Sequence, residues 1–275
     1  MFAERELAWR IFAEEFNRAD LQYSEGDDRA PNYVITPTGA KCNRLFVVGV
    51  ATEVEEIGEE LWRARIADPT GSFSIYAGQY QPEAVTLLSD LQVPSIVAVV
   101  GKARIYEQEG TIYASIRPEE INLTSMDVRD RWVLNTAERS MERINAMRLT
   151  LSSGLEGDEL RVHLGENVGE GLADGVMRAL AHYPITEEYL DRLAEVVVDA
   201  VKSILPEVEK PSQELKEIVF GLLEKLDLGD GVSYSDVIDA ALGSGLSETM
   251  IEDAVRELMG EGRCYEPKIG VLKKV

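Results

Sequence analysis

Between residues 44 and 122 the chain adopts a two-residue period. RLFVVGVATEV (44–54), LWRARIAD (61–68), SFSIYAG (72–78), SIVAVVGKARIYEQ (95–108) and TIYASIRPEEINL (111–123) are rich in β-branched and aromatic residues, and much of their length alternates apolar with polar side chains. A step of two returns a side chain to the same face in a β-strand. Asp-Pro-Thr-Gly at 68–71 and Glu-Gln-Glu-Gly at 107–110 supply tight turns between strands. Gly49 stands where a bulge would bend the first strand. PEAVTLLSDL at 82–91 instead reads as a helix of about two and a half turns. The predicted order is β-β-β-α-β-β.

Five strands with one helix between the third and fourth is the layout of the OB-fold, a small Greek-key barrel used for oligonucleotides and oligosaccharides. Outside it, residues 3–19 read as an amphipathic helix, and 20–41 as a polar connector, either loop or extended strap. Val133, Ala137, Met141, Ile144, Met147 and Leu151 form one apolar stripe on a helix over 127–150. Residues 152–168 read as a Gly-, Glu- and Asp-rich linker, followed by two helices separated by Pro184. PEVEKPSQ (206–213) marks a domain boundary. The closing block gives three short helices and two strands around Pro267 to Gly270, a winged helix-turn-helix, with Ser247 capping its third helix and Met250 and Ile251 on that helix's apolar face. The expected fold class is therefore a multi-domain α+β chain: a five-stranded OB-fold β-barrel, then helices, then a C-terminal winged helix. The segments are 1–42 (helix and connector), 43–125 (barrel), 126–151 (possible subunit-assembly helix), 152–211 (linker and helices) and 212–275 (winged helix).

Several function classes find no support. Apolar runs such as FVVGVA and IVAVVG fall far short of the roughly 20 residues of a membrane-spanning helix, so no membrane partner is expected. The acidic N-terminus lacks the basic and apolar regions of a signal peptide, which predicts a cytoplasmic protein. Cys42 and Cys264 stand alone, giving neither a disulfide framework nor a CxxC metal site. No phosphate-binding glycine motif, HExxH or GxSxG occurs, so no enzyme activity, cofactor or metal is expected.

Charge locates the candidate site. The chain carries 28 basic and 50 acidic residues, yet residues 61–117 hold five of each. On the predicted strands Arg63, Arg65, Tyr76, Lys102, Arg104, Tyr106, Tyr113 and Arg117 fall on outward positions. Cations neutralise phosphates and aromatic faces stack bases regardless of sequence, so this mixture suits single-stranded nucleic acid. The same residues also suit an ordinary solvated barrel wall with cross-strand partners among nearby carboxylates. Tyr80 and Trp62 are expected in the core. The acidic loops EEIGEE and EQEG repel phosphate, so binding by this chain alone is expected to be weak or confined to the central face.

The third helix of the closing block carries five carboxylates against Arg256 alone, which argues against DNA and for a protein partner. The partner-facing candidates there are Glu252, Arg256 and Tyr265. On the 127–150 helix they are Trp132, Met141 and Ile144, facing either the chain's own domain or other subunits.

AWRIFAEEFN (8–17), APNYVITPTGAKCNRLFVVGVATEVEE (30–56), ADPTGSFSIYAGQYQPEA (67–84) and GRCYEPKIGVLKKV (262–275) resemble the archaeal replication-protein-A-associated OB-fold family, and more broadly the middle subunit of replication protein A. The resemblance implies a subunit of a single-stranded DNA-binding complex in DNA replication, repair and recombination. Its partners would be single-stranded DNA, other replication-protein-A-like subunits, and replication or repair proteins recruited by the winged helix. The alternative is a scaffold or accessory subunit that does not bind DNA and attaches to a larger OB-fold subunit through its helix and winged helix.

Overall fold

The structure, a computed structural model, describes residues 7–24, 26, 31–205, 211–227, 229–243 and 246–275. It divides into two compact units, Met1–Leu205 and Pro206–Val275. The boundary expected at 206–213 falls largely outside the described residues, as does the start of the helix expected at 3–19.

In the first unit, β4 (Arg44–Gly58), β5 (Leu61–Asp68), β6 (Gly71–Ala77), β7 (Ser95–Gln108) and β8 (Thr111–Leu123) close into a barrel in the order β4-β5-β6-β8-β7. Helix α2 (Pro82–Asp90) lies between β6 and β7 in the chain, so this is the OB-like order read from the sequence. Val47, Ala64, Ile66, Phe73, Ile75, Val97, Val99 and Ile116 are buried, and the alternation along β5, β6 and β7 puts their polar neighbours outward. Gly49 has a different role from the one expected. It pairs in register with Val97, while the β4–β5 irregularities fall between Ala51 and Glu53 and between Glu56 and Gly58. A Cβ at Gly49 would lie 2.3 Å from the Ala67 carbonyl oxygen, so glycine here lets β5 cross β4 closely.

The N-terminal helix shrinks to one turn, α1 (Ala13–Phe16), among the described residues. Residues 8–12 are extended instead: Trp9 N–H donates to the Arg44 carbonyl at 2.9 Å, and Phe46 N–H donates to the Trp9 carbonyl at 2.8 Å. Asp68 of the Asp-Pro-Thr-Gly turn explains where the helix starts. Its carboxylate accepts from Ala13 N–H at 2.7 Å and from Thr70 and Gly71 N–H at 2.7 and 2.9 Å, capping the helix and the turn together. Burial raises the Asp68 carboxyl above its ordinary value, against the lowering effect of these N–H donors. Within the connector, β1 (Leu21–Ser24), β2 (Asn32–Ile35) and β3 (Lys41–Cys42) form an antiparallel sheet.

A long helix, α3 (Met126–Ser153), leaves the barrel and is followed by α4 (Gly157–Val168), α5 (Glu170–His182) and α6 (Glu187–Lys202). The segment read as a linker is thus mostly helix, because Leu160 and Leu164, four residues apart, both find a buried face. The stripe on α3 turns into this unit: Val133, Ala137, Ile144 and Met147 are buried, Met141 is half-buried and Leu151 is exposed. Trp132 is a core residue too, donating from Nε1 to the Phe46 carbonyl at 2.7 Å and meeting Phe12 edge to face. Trp132 and Ile144 therefore face the chain's own unit and not a partner subunit, which corrects their place among the partner-facing candidates, since the barrel and the α4–α6 helices already cover that side.

Between α3 and the connector lies a buried charge pair. Arg143 Nη2 meets Glu15 Oε2 at 2.8 Å, and both residues are about 1% exposed. The Thr36 and Thr38 hydroxyls donate to Glu15 Oε1 at 2.6 and 2.5 Å, and Arg143 Nε donates to Thr38 Oγ1 at 2.9 Å. Burial disfavours the Glu15 carboxylate, but the charge of Arg143, its hydrogen bond and the two threonines outweigh this and leave the carboxyl below its ordinary value. Tyr183 fastens the helices to the same connector by donating to the Ile35 carbonyl at 2.7 Å.

The second unit packs α7 (Gln213–Leu226), α8 (Tyr234–Leu242) and α9 (Glu248–Gly260) against a sheet ordered β10-β11-β9 from β9 (Val232–Ser233), β10 (Cys264–Lys268) and β11 (Val271–Lys274). Ser247 caps α9 by accepting from Met250 N–H at 3.4 Å. Ile251 is buried, whereas Met250, expected on the same apolar face, is exposed.

Candidate nucleic-acid interface

The eight barrel residues singled out in the sequence separate into two groups. Arg63 and Arg65 on β5 stand opposite Glu55 and Glu53 on β4. Arg63 forms an ion pair with Glu55, and Arg65 lies 3.6 Å from Glu53. The charge of Glu55 raises the Arg63 guanidinium above its ordinary value. These two arginines are a cross-strand ladder, and their neutral balance is local charge pairing.

The second group lines a groove. Tyr76, Arg104, Tyr106 and Arg117 border a cleft of about 1080 Å³, together with Tyr80 and Gln81 from the β6–α2 connection. Tyr80, Gln81, Arg104 and Arg117 also border a second cleft of about 540 Å³, which reaches Lys102. The two clefts thus share one cationic wall.

Strand register explains the wall. Lys102 on β7 pairs with Arg117 on β8 on one side and Arg44 on β4 on the other, a row of three cations. One extra β8 residue, Glu119, lies between the pairings Val100–Glu120 and Gly101–Pro118. Such a bulge re-aims its side chain, and Glu119 takes both Nε and Nη2 of Arg44, at 2.5 and 2.9 Å. That hydrogen bonding lowers the Glu119 carboxyl, against burial. Gly101 permits the close approach, because a Cβ there would lie 2.5 Å from the Arg117 carbonyl oxygen.

With Glu119 committed to Arg44, Lys102, Arg104 and Arg117 have no carboxylate within ion-pair distance among the described residues. Arg104 donates only to the backbone carbonyl of Ala103, at 2.9 Å. Burial first, and then the charge of Arg117, hold the Arg104 guanidinium below its ordinary value. An anion seated between the two would relieve that repulsion.

Aromatic rings continue the wall. Tyr106 and Tyr113 stack with centroids 5.4 Å apart, and Tyr76 meets Tyr106 edge to face at 5.8 Å with their hydroxyls 3.0 Å apart. The Tyr106 phenol is pushed up to about 12 by burial and then by its hydrogen bond to Tyr76. Tyr113 is 44% exposed and presents an open ring.

Tyr80, expected in the core, is 75% exposed, with the Arg117 guanidinium 5.7 Å from its ring centroid. Its neighbours Gln79 and Gln81, between Gly78 and Pro82, were the available signal: a lone aromatic in a polar turn has no apolar surface to join. Trp62, by contrast, packs partly buried against the core, as expected.

In the second unit Arg256 is exposed and pairs with Asp253 at 3.0 Å, Glu252 is half-buried, and Tyr265 is 43% exposed. No group of acidic, histidine or cysteine side chains that could hold a metal occurs among the described residues, and no helix among them is long and apolar enough to cross a membrane.

No protein-family model and no curated protein matches the chain. Among solved structures, a chain of a replication protein A heterotrimer bound to single-stranded DNA is similar at 12% identity and a TM-score of 0.37, over 50% of this chain and 98% of that one. A chain of the S. pombe Stn1–Ten1 complex is similar at 10% identity and a TM-score of 0.39, over 48% of this chain and 90% of that one. OBody NL8, bound to hen egg-white lysozyme, is similar at 14% identity and a TM-score of 0.27, over 30% of this chain and 93% of that one. At such identities and scores none of them carries a function across.

Proposed function

We propose that this chain is a single-stranded DNA-binding protein, a subunit of a replication-protein-A-like complex in DNA replication, repair and recombination. The barrel groove holds the strand, and the 212–275 block serves as a winged helix that docks a protein partner. One observation carries the first part. In a chain with 50 acidic residues, three neighbouring cations, Lys102, Arg104 and Arg117, lack a carboxylate partner among the described residues and adjoin a run of tyrosines. Unpaired cations beside aromatic faces match the two demands of single-stranded nucleic acid, phosphate neutralisation and base stacking. Docking of a protein rather than DNA by the second unit is supported by the acidic face of α9, with Glu252, Arg256 and Tyr265 as contacts. Of Trp132, Met141 and Ile144 on α3, the half-buried Met141 alone is not sealed in the core.

Titration of labelled oligo(dT) with the full chain tests the groove. Lys102→Ala/Arg104→Ala/Arg117→Ala should weaken binding by about 100-fold at low salt and flatten the slope of log affinity against log salt by about 2, at about 0.7 per phosphate. An unchanged affinity would remove the groove from the argument. The exposed carboxylates at the β4–β5 and β7–β8 turns favour the scaffold reading. That reading is upheld if the wild-type chain binds no oligonucleotide while copurifying with a larger OB-fold subunit.

A further inference from the structure

Arg44 completes the cationic row with Lys102 and Arg117, but among the described residues it borders neither cleft of the groove. Its partner Glu119 does border one, the smaller cleft, beside Lys102, Arg104 and Arg117. Two cations compete for that carboxylate. Lys102 and Arg44 are opposed in register, which sets their Cβ atoms about 5 Å apart, and Glu119 follows Arg117, the other register partner of Lys102, by two residues. The Glu119 carboxyl is held below its ordinary value first by its hydrogen bond to Arg44, against burial, and further by the charges of Arg44, Lys102 and Arg104. Arg44 prevails because its fork engages both carboxylate oxygens, Nε with Oε2 at 2.5 Å and Nη2 with Oε1 at 2.9 Å, whereas a lysine offers a single ammonium. Glu83 of α2, the other carboxylate bordering this cleft, forms no ion pair with the wall among the described residues.

We infer that Arg44 is a positioning residue of the groove: by holding the Glu119 carboxylate in its fork, it keeps that carboxylate off Lys102 and leaves the phosphate-binding wall open. This rests on the nucleic-acid reading of the groove and deepens it. Without the Arg44 side chain, Glu119 turns to Lys102, the next cation in the row, and one phosphate loses its seat. With the charge of Glu119 removed as well, Lys102 is open again. Arg44 thus acts on the strand through Glu119 and touches no phosphate itself. The side chains of the pair are 29% and 34% exposed, so substituting them should leave the fold intact.

The test is a double-mutant cycle on the full chain, with labelled oligo(dT) titrated against wild type, Arg44→Ala, Glu119→Gln and Arg44→Ala/Glu119→Gln. Arg44→Ala should weaken binding by about 10-fold and flatten the salt slope by about 0.7, the value of one phosphate. Glu119→Gln alone should stay within about 2-fold of wild type, and the double variant should return to that level, a coupling of the size found for charges in one network. Glu119→Gln therefore tightens binding far more in the Arg44→Ala background than in wild type. A direct phosphate contact by Arg44 gives the opposite sign, because Glu119→Gln would then help most where Arg44 is present to be released. Arg44→Gln, which keeps most of the side chain's length and loses its charge, repeats the cycle should Arg44→Ala disturb packing. A gain from Glu119→Gln no larger without Arg44 than with it overturns the assignment while leaving the groove as a binding site. Failure of wild type to bind oligo(dT) at all overturns the nucleic-acid reading itself, and this inference with it.

Discussion

Arg143 and Arg104 are the same side chain in opposite circumstances. On the helical flank, Arg143 is sealed between α3 and the connector, its charge matched by Glu15 and its donors taken up by Thr38 and Ser140, apart from Nη1, which has no partner among the described residues. On the barrel, Arg104 sits half-buried beside a second guanidinium with no carboxylate of its own. Arg63 and Arg65 stand between these extremes, half-buried and exposed respectively and both matched across the strand. A guanidinium whose charge is answered inside the chain serves structure, and one whose charge is left open is available to a ligand.

The comparison can be broken first on the flank. Arg143→Ala leaves the Glu15 carboxylate buried without its counter-charge, and should cost about 3–5 kcal/mol in urea unfolding. Glu15→Met/Arg143→Met should recover most of that loss, because breaking a buried pair costs far more than replacing it with apolar side chains. Oligonucleotide affinity of the folded protein should be unaffected in both.

Acid should sharpen the same contrast. The Glu15 carboxyl is held below its ordinary value of 4.5 in the folded chain, so the folded state binds this proton more weakly than the unfolded chain does. The stabilisation is then complete above about pH 4.5 and is lost as the pH falls through the lower, folded value. Urea midpoints measured from pH 7 down to pH 3 should fall less steeply in Glu15→Met/Arg143→Met than in wild type.

On the groove side, Tyr80→Ala should cost about 1–3 kcal/mol of oligonucleotide binding, the value of one stacked base. Unfolding should stay within about 0.5 kcal/mol of wild type, as for an exposed site. Arg63→Ala/Arg65→Ala should give the smallest change, with a melting temperature indistinguishable from wild type and an affinity far closer to it than that of the Lys102/Arg104/Arg117 variant. An equal loss of affinity in the two variants would erase the distinction between matched and open cations.

Much of the barrel was legible because strands announce themselves locally. Ala64 and Ile66 against Arg63 and Arg65, and Val97 and Val99 against Lys102 and Arg104, repeat at two residues, and the helix at 82–90 breaks that period. The outer helices were less legible. Leu160 and Leu164 are too few to outweigh the surrounding glycines and carboxylates until α3 offers them a surface. The N-terminal segment misled for a related reason: its apolar residues suit a helix, but the Arg44 carbonyl and Phe46 N–H recruit Trp9 as an extended edge, and Asp68 delays the helix to Ala13.

The sequence by itself determined the alternation, the order of the barrel strands and which side chains point outward, because each depends on neighbours two to four residues away. Only the tertiary structure decided which outward cations have partners. Glu55 meets Arg63, Glu53 meets Arg65, and a one-residue bulge delivers Glu119 to Arg44, leaving Lys102, Arg104 and Arg117 open. Coulomb energy depends on separation in space, and strand register sets that separation between residues far apart in the chain.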